Sequence, residues 1–267
     1  MGADNLEVEG VIFASWWNGE YQTSNADQSL ANLNATGANY VGLLGTWYMD
    51  TANGEYSTSN VIYPHPTKTP SDADLIHIIN DIKSSGRKVF LKLHIRVILS
   101  EDPSWADKWA GRIAPSDPNQ WFSNYTTFAN HYAELAEANG VDIFCFGTEL
   151  PTMTGPQYAA QWNSVIDAIK AKNTGKLTFS SNMPAEYTQI TFWDRCDYLG
   201  IGPYFSVSPA YIPDPDLDTI VNGWGYVPDI DDPNKGKTIV EKMAEWSTEN
   251  GNKPIIFTEL GYCSVDW

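Results

Sequence analysis

Two hydrophobic runs in this chain end in a glutamate: FCFGTE at residues 144–149 and IIFTE at residues 255–259. Residues of this kind form buried strands, so Glu149 and Glu259 are placed at the C-terminal ends of two strands. In a parallel α/β barrel that end carries the catalytic groups. Two carboxyl groups on one rim have an obvious chemistry. Glycosidic bond cleavage needs one to protonate the leaving oxygen and a second to attack or stabilise the anomeric carbon. The competing reading of each glutamate is a helix cap or an ion-pair partner.

Other residues suited to such a cleft fall at predicted strand ends. Lys92 and His94 are two apart on one strand and therefore share a face. His94 is a candidate for binding a sugar hydroxyl or orienting Glu149, with a structural histidine as the alternative. Lys92 is a candidate for substrate or for a buried ion pair. Trp16, Trp17 and Trp47 close the first two strands and are candidates for a stacking platform. Asn182 ends the fifth strand and is a candidate for binding a hydroxyl, and Tyr204 ends the sixth.

Strand-like runs occupy 11–17, 40–46, 89–97, 142–149, 176–181, 198–204 and 254–259, several of them nearly continuous in apolar residues, as strands covered on both faces are. Amphipathic segments at 26–36, 71–85, 120–139, 155–172 and 237–250 separate them, with an N-cap signal at Ser71 and glycine stops at Gly86, Gly140, Gly175 and Gly251. Repeated βα units predict a (β/α)8 TIM barrel as a single catalytic domain over residues 1–267. Only seven strands are legible, so the last βα unit is expected to be lacking or truncated. The long connections at 50–70, 98–119 and 206–236 all follow strands. They would build up the catalytic face with Tyr56, Tyr63, Trp105, Trp109, Trp224 and Tyr226.

Composition narrows the partners. The 267 residues carry a net charge of −17, which argues against nucleic acid and anionic membranes. No apolar stretch approaches the length of a membrane span, and no signal peptide is visible at the N-terminus. A soluble, monomeric protein is expected, secreted or cytoplasmic. The 11 tryptophans and 14 tyrosines exceed what packing needs and would suit a sugar cleft. Cys145, Cys196 and Cys263 are odd in number and widely spaced, so they read as small buried hydrophobes. His65, His77, His94 and His131 form no zinc pattern. No metal or organic cofactor is expected.

The motifs at 37–41 (GANYV), 89–94 (VFLKLH), 144–149, 192–200 (FWDRCDYLG) and 257–262 (FTELGY), in this order, resemble glycoside hydrolase family 113, a β-mannanase family of the large barrel clan. The likeness runs from about Val11 to the last residue. It implies that Glu149 is the general acid/base and Glu259 the nucleophile of a retaining mechanism, that Thr148 donates to a sugar hydroxyl, and that Tyr204 hydrogen-bonds the nucleophile. It implies cleavage of β-1,4-mannan or glucomannan. The chain departs from the family pattern at Arg96, where the family has aspartate, and at Gly202, again in place of aspartate. The clan's eighth strand often supplies an aromatic floor, and Trp267 is the last residue here. The rival readings are a β-glucanase or other β-glycosidase of the clan, and a non-catalytic carbohydrate-binding barrel or inactive fragment. A nucleotide-binding open sheet would want a glycine-rich first turn, which residues 16–19 (WWNG) do not offer.

Overall fold

A computed structural model of the chain describes residues 6–33, 35–50, 59–98, 109–183, 185–205, 216–225 and 236–261. Its strands are β1 (Gly10–Ile12), β2 (Tyr40–Asp50), β3 (Lys88–Ile98), β4 (Ile143–Thr148), β5 (Lys176–Ser180), β6 (Leu199–Ile201) and β7 (Ile255–Phe257). All seven expected strands are present. The first, sixth and seventh are shorter than their sequence runs, ending at Ile12, Ile201 and Phe257. The helices are α1 (Ser24–Leu33), α2 (Asp72–Ser84), α3 (Pro118–Asn139), α4 (Ala159–Lys170), α5 (Glu186–Gln189), α6 (Leu217–Gly223) and α7 (Ile239–Glu249). The short α5 and α6 have no counterpart in the apolar periodicity.

The pairings among these seven strands are all parallel, and one isolated antiparallel bridge joins Tyr48 of β2 to Tyr63. Strands β1 to β5 run in sequence order, and β6 pairs with β7. A bridge between Ser181 and Ile201 joins the two sheets. This is the order of a (β/α)8 barrel. Contacts across the interior show how far the sheet curls: Lys92 on β3 reaches Glu259 beyond β7, and Ser180 Oγ lies 2.6 Å from Thr258 Oγ1. Among the described residues nothing pairs with the outer edges of β1 and β7. A cavity of about 630 Å³ lies along this seam, walled by Val11, Ile12, Tyr40, Phe90 and Ile256. Among the described residues its lining reaches the rim at Tyr204, Thr258, Glu259 and Leu260.

Strand alternation divides the core in two. One face of β2 to β5 sends Val41, Leu43, Val89, Leu91, Leu93, Phe144, Phe146, Leu177 and Phe179 against the helices. The other sends Tyr40, Phe90, Ile143 and Cys145 into a smaller interior layer completed by Tyr198 and Ile256. Much of the aromatic excess is spent on the outer layer, where Trp121, Trp162, Trp193 and Trp246 are buried. Trp162 packs against Phe122, Tyr125, Phe179 and Phe192. The aromatic richness is therefore in large part structural, where the composition suggested a cleft. Tyr56, Trp105, Tyr226 and Trp267 lie outside the described residues.

Local signals fix the frame. Asp117 caps α3 by accepting from the N–H groups of Asn119 and Gln120, Pro118 opens that helix, and Gly140 ends it with φ 61°. Ser71 and Asp74 form a capping box on α2. Asp74 also accepts from Gly19 N at 2.8 Å and Gln22 Nε2 at 2.6 Å, tying the loop after β1 to the start of α2. Burial alone would raise its carboxyl, but these hydrogen bonds outweigh that and hold it below its usual range.

Candidate active site

Glu149 does not simply follow the strand. Between Cys145 and Thr148 the β4–β5 register slips by one residue, since Cys145 pairs with Thr178 and Thr148 with Ser180. This is a bulge, a device that re-aims a strand end. Glu149 itself has φ +47°, a left-handed conformation that few non-glycine residues adopt. Its backbone N–H donates to Ser180 O at 2.9 Å, which holds the turn.

The Glu149 carboxylate is held at both oxygens by uncharged donors. Trp109 Nε1 donates to Oε2 at 2.6 Å and Asn182 Nδ2 to Oε1 at 2.7 Å. Trp109 comes from the long connection after β3, just before a tight turn at Ala110–Arg112. A side chain at Gly111 would overlap the Trp109 indole, so glycine is what lets the ring lie there. The sequence placed Trp109 on the catalytic face without giving it this partner. Asn182, a candidate for binding a hydroxyl, donates to Glu149.

Glu259 has a different partner. Lys92 Nζ lies 2.9 Å from its Oε2. Lys92 is 1% exposed and Glu259 29%, so a buried cation meets a carboxylate on the rim. Of the two roles open to Lys92, the structure presents the ion pair. Gly202 lies alongside, and a Cβ there would stand 3.3 Å from Glu259 Cγ and 3.4 Å from Oε1.

The two carboxylates are brought into one region by a short chain of contacts. Glu149 N bonds Ser180 O, Ser180 Oγ bonds Thr258 Oγ1, and Thr258 precedes Glu259. Tyr204 senses both: its phenol is raised by burial first, then by the charges of Glu259 and Glu149. The ring is 54% exposed on the rim. Among the described residues no hydrogen bond joins Tyr204 to Glu259, although the resemblance implied one.

The remaining candidates are placed as follows. His94 is half-buried with Nδ1 3.2 Å from Ile95 O, and its ring meets the Trp16 indole edge-on at 5.6 Å. Burial, then the charges of Lys92 and Arg96, push its pKa down to about 3. It is therefore neutral at ordinary pH and does not contact Glu149. The Arg96 guanidinium lies 4.6 Å from the Trp16 ring centre, within cation–π range. Trp17 is 54% exposed in the loop after β1. Trp47 is not brought to the site. It pairs in register with Ile95 and packs against Phe128, His131 and Tyr132 of α3. Side chains alternate along a strand, so Trp47 faces the helices while its neighbour Thr46, paired with His94, faces inward. Thr148 is also committed: its hydroxyl donates to Leu93 O at 2.8 Å and is buried. The Cys145 thiol is pushed up to about 12 by burial, which makes it inert. Cys263 lies outside the described residues.

One buried carboxylate beside the site had no sequence signal. Glu186, the first residue of α5, is buried and accepts three hydrogen bonds behind Glu149 and Asn182. A polar residue in a non-periodic segment reads as exposed, and only the packing of the strand-end loops encloses it.

A sequence model described as Glycoside Hydrolase Family 113 matches residues 13–266. No curated protein matches the chain. Among solved structures, a GH113 β-mannanase from Alicyclobacillus acidocaldarius, in complex with ManMIm, is 22% identical with a TM-score of 0.74. That match covers 97% of this chain and 72% of the other. A GH113 β-1,4-mannanase complex is 20% identical with a TM-score of 0.67, covering 95% and 87%. A further GH113 β-1,4-mannanase, 22% identical with a TM-score of 0.64, is matched over 75% of this chain, which spans 63% of its length. At these identities the structures share the barrel fold.

Proposed function

Because this chain belongs to glycoside hydrolase family 113, we propose that it is a retaining, endo-acting glycosidase that cleaves β-1,4-mannan or glucomannan. The observation that carries the mechanism is the unlike setting of two carboxylates on one rim. Glu149 is held by the neutral donors Trp109 and Asn182, and Glu259 by the ammonium of Lys92. Unlike environments separate the roles of paired carboxyl groups. The group paired with a fixed cation suits the nucleophile, and the group held by neutral donors suits the acid/base.

In the first step an oxygen of Glu259 bonds the anomeric carbon as the glycosidic C–O bond breaks, and Glu149 gives its proton to the departing oxygen. In the second, Glu149 takes a proton from water as the water oxygen displaces Glu259. The protein's own side chains supply each proton transfer. Tyr204, on the rim and within the field of both carboxylates, is assigned to the sugar at the cleavage point. Trp16, beside Arg96 and His94, and the exposed Trp17 are assigned to neighbouring sugars. The mannan assignment rests on the solved family members, which are described as β-mannanases.

The test is hydrolysis of β-1,4-linked manno-, gluco- and xylo-oligosaccharides by the protein, with Glu149→Ala and Glu259→Ala alongside. Mannan cleavage absent from both variants is expected. Preferential cleavage of gluco-oligosaccharides would move the substrate to a β-glucan. Binding without turnover, unchanged by Glu259→Ala, would leave a carbohydrate-binding barrel.

A further inference from the structure

We propose that Glu186 is a positioning residue for the acid/base: its carboxylate locks the loops after β4 and β5 together and so keeps Asn182 on Glu149. The inference rests on the glycosidase reading of Glu149. Glu186 Oε1 accepts from Leu150 N and from Thr154 Oγ1, each at 2.9 Å. Its Oε2 accepts from Asn182 N at 2.6 Å. Leu150 is the residue after Glu149, and the Asn182 side chain is the donor to Glu149 Oε1 at 2.7 Å. One carboxylate thus grips the backbone on both sides of the Glu149–Asn182 hydrogen bond.

The choice of residue is informative. Glu186 is 1% exposed, and its partners among the described residues are all uncharged. A buried carboxylate without a cation is costly. Burial pushes its pKa up to about 7 despite the three hydrogen bonds. What a carboxylate offers here is acceptance at both oxygens from three converging donors. Glutamine would turn an –NH2 toward one of those donors. The expense is explained if the strand-end geometry must be held tightly, since small displacements of a catalytic group lose large rate factors.

The experiment compares two substrates in the wild type and in Glu186→Gln. Mannohexaose needs its leaving oxygen protonated, whereas 2,4-dinitrophenyl β-mannobioside carries a leaving group that departs without a proton. Glu186→Gln is expected to lower kcat/KM about 10- to 100-fold on mannohexaose and less than about threefold on the dinitrophenyl substrate. A role confined to folding would lower both equally, and that result would overturn the proposal, as would no loss on either. Should Glu186→Gln fail to fold, Thr154→Val removes one of the three hydrogen bonds. It is expected to shift the ratio of the two substrates about threefold in the same sense, and an unmoved ratio would overturn the proposal. A folded wild type that cleaves neither these substrates nor their gluco-configured counterparts would instead defeat the glycosidase reading, and the proposal with it.

Discussion

Replacing Lys92 by methionine separates two effects that a buried ion pair usually confounds. At 2.9 Å from Glu259 Oε2, the ammonium attracts the carboxylate by about 6 kcal/mol at an effective dielectric constant of about 20. Lys92 is almost fully buried, and its desolvation costs several kcal/mol, so most of that attraction is offset. Methionine matches the length of the stem and removes the buried charge along with its cost. Glu259, on the rim, recovers some hydration. Stability of Lys92→Met should therefore stay within about 2 kcal/mol of wild type. Activity has no such compensation. The reacting carboxylate loses a charged hydrogen bond worth about 1.5–3 kcal/mol in orientation. If that is expressed in the transition state, kcat/KM on mannohexaose falls about 10- to 200-fold. Thermal unfolding measures the first quantity and steady-state kinetics the second. Intact-mass measurement of covalent labelling by a 2-deoxy-2-fluoro-β-mannosyl fluoride reports Glu259 directly, and its rate should fall in parallel. A variant that loses several kcal/mol of stability while keeping kcat/KM within about threefold would refute the reasoning and leave Lys92 as a structural brace.

Asn182→Ala frees one oxygen of Glu149 and should lower kcat/KM on mannohexaose about 10- to 100-fold, with a smaller effect on a dinitrophenyl glycoside. Asp74→Ala keeps the Ser71 cap but removes the other half of the α2 capping box, leaving the Ser71 and Gly19 N–H groups and the Gln22 amide without this acceptor, for a loss of about 2–4 kcal/mol in denaturant titration. Because the folded pKa of Asp74 is lowered, its ionised form stabilises the fold above the unfolded value near 3.8. The gap between wild type and variant should narrow as the pH falls below it. Glu186 has the opposite sign: with its folded pKa raised from 4.5 to about 7, its own contribution to stability is fully present below pH 4.5 and falls by about 3 kcal/mol as the pH rises through 7. Glu186→Gln should flatten that segment of the stability–pH curve. Gly200→Ala places a methyl group against the Phe179 carbonyl, and separating β5 from β6 to admit it should cost more than about 3 kcal/mol, read as a fall in Tm.

The apolar runs specified all seven strands, because a strand covered on both faces must be hydrophobic almost throughout, and such a run ends where the chain meets solvent. The same logic put Glu149 and Glu259 on one rim, since parallel strands present their C-terminal ends together. Alternation could say that Lys92 and His94 share a face. It could not say which face is the interior, because that depends on the direction in which the sheet curls. Trp47 shows the consequence: it occupies a strand position one residue from the inward face and packs under α3.

The partners of the two glutamates belong to tertiary structure. Trp109 reaches Glu149 from the loop after β3, Asn182 from the end of β5, and Lys92 crosses the barrel interior to Glu259. Each joins segments far apart in the chain, and no local pattern encodes such a meeting. Tertiary packing likewise encloses Glu186, which lies in a segment without apolar periodicity and is buried only where the loops after β4 and β5 close over it. The sequence by itself determined which residues end the strands and which carboxylates face the rim, through burial and strand geometry. The curvature of the sheet and the packing of its rim loops decided what holds those carboxylates, because hydrogen bonds and ion pairs between distant segments exist only once the barrel has brought them within reach.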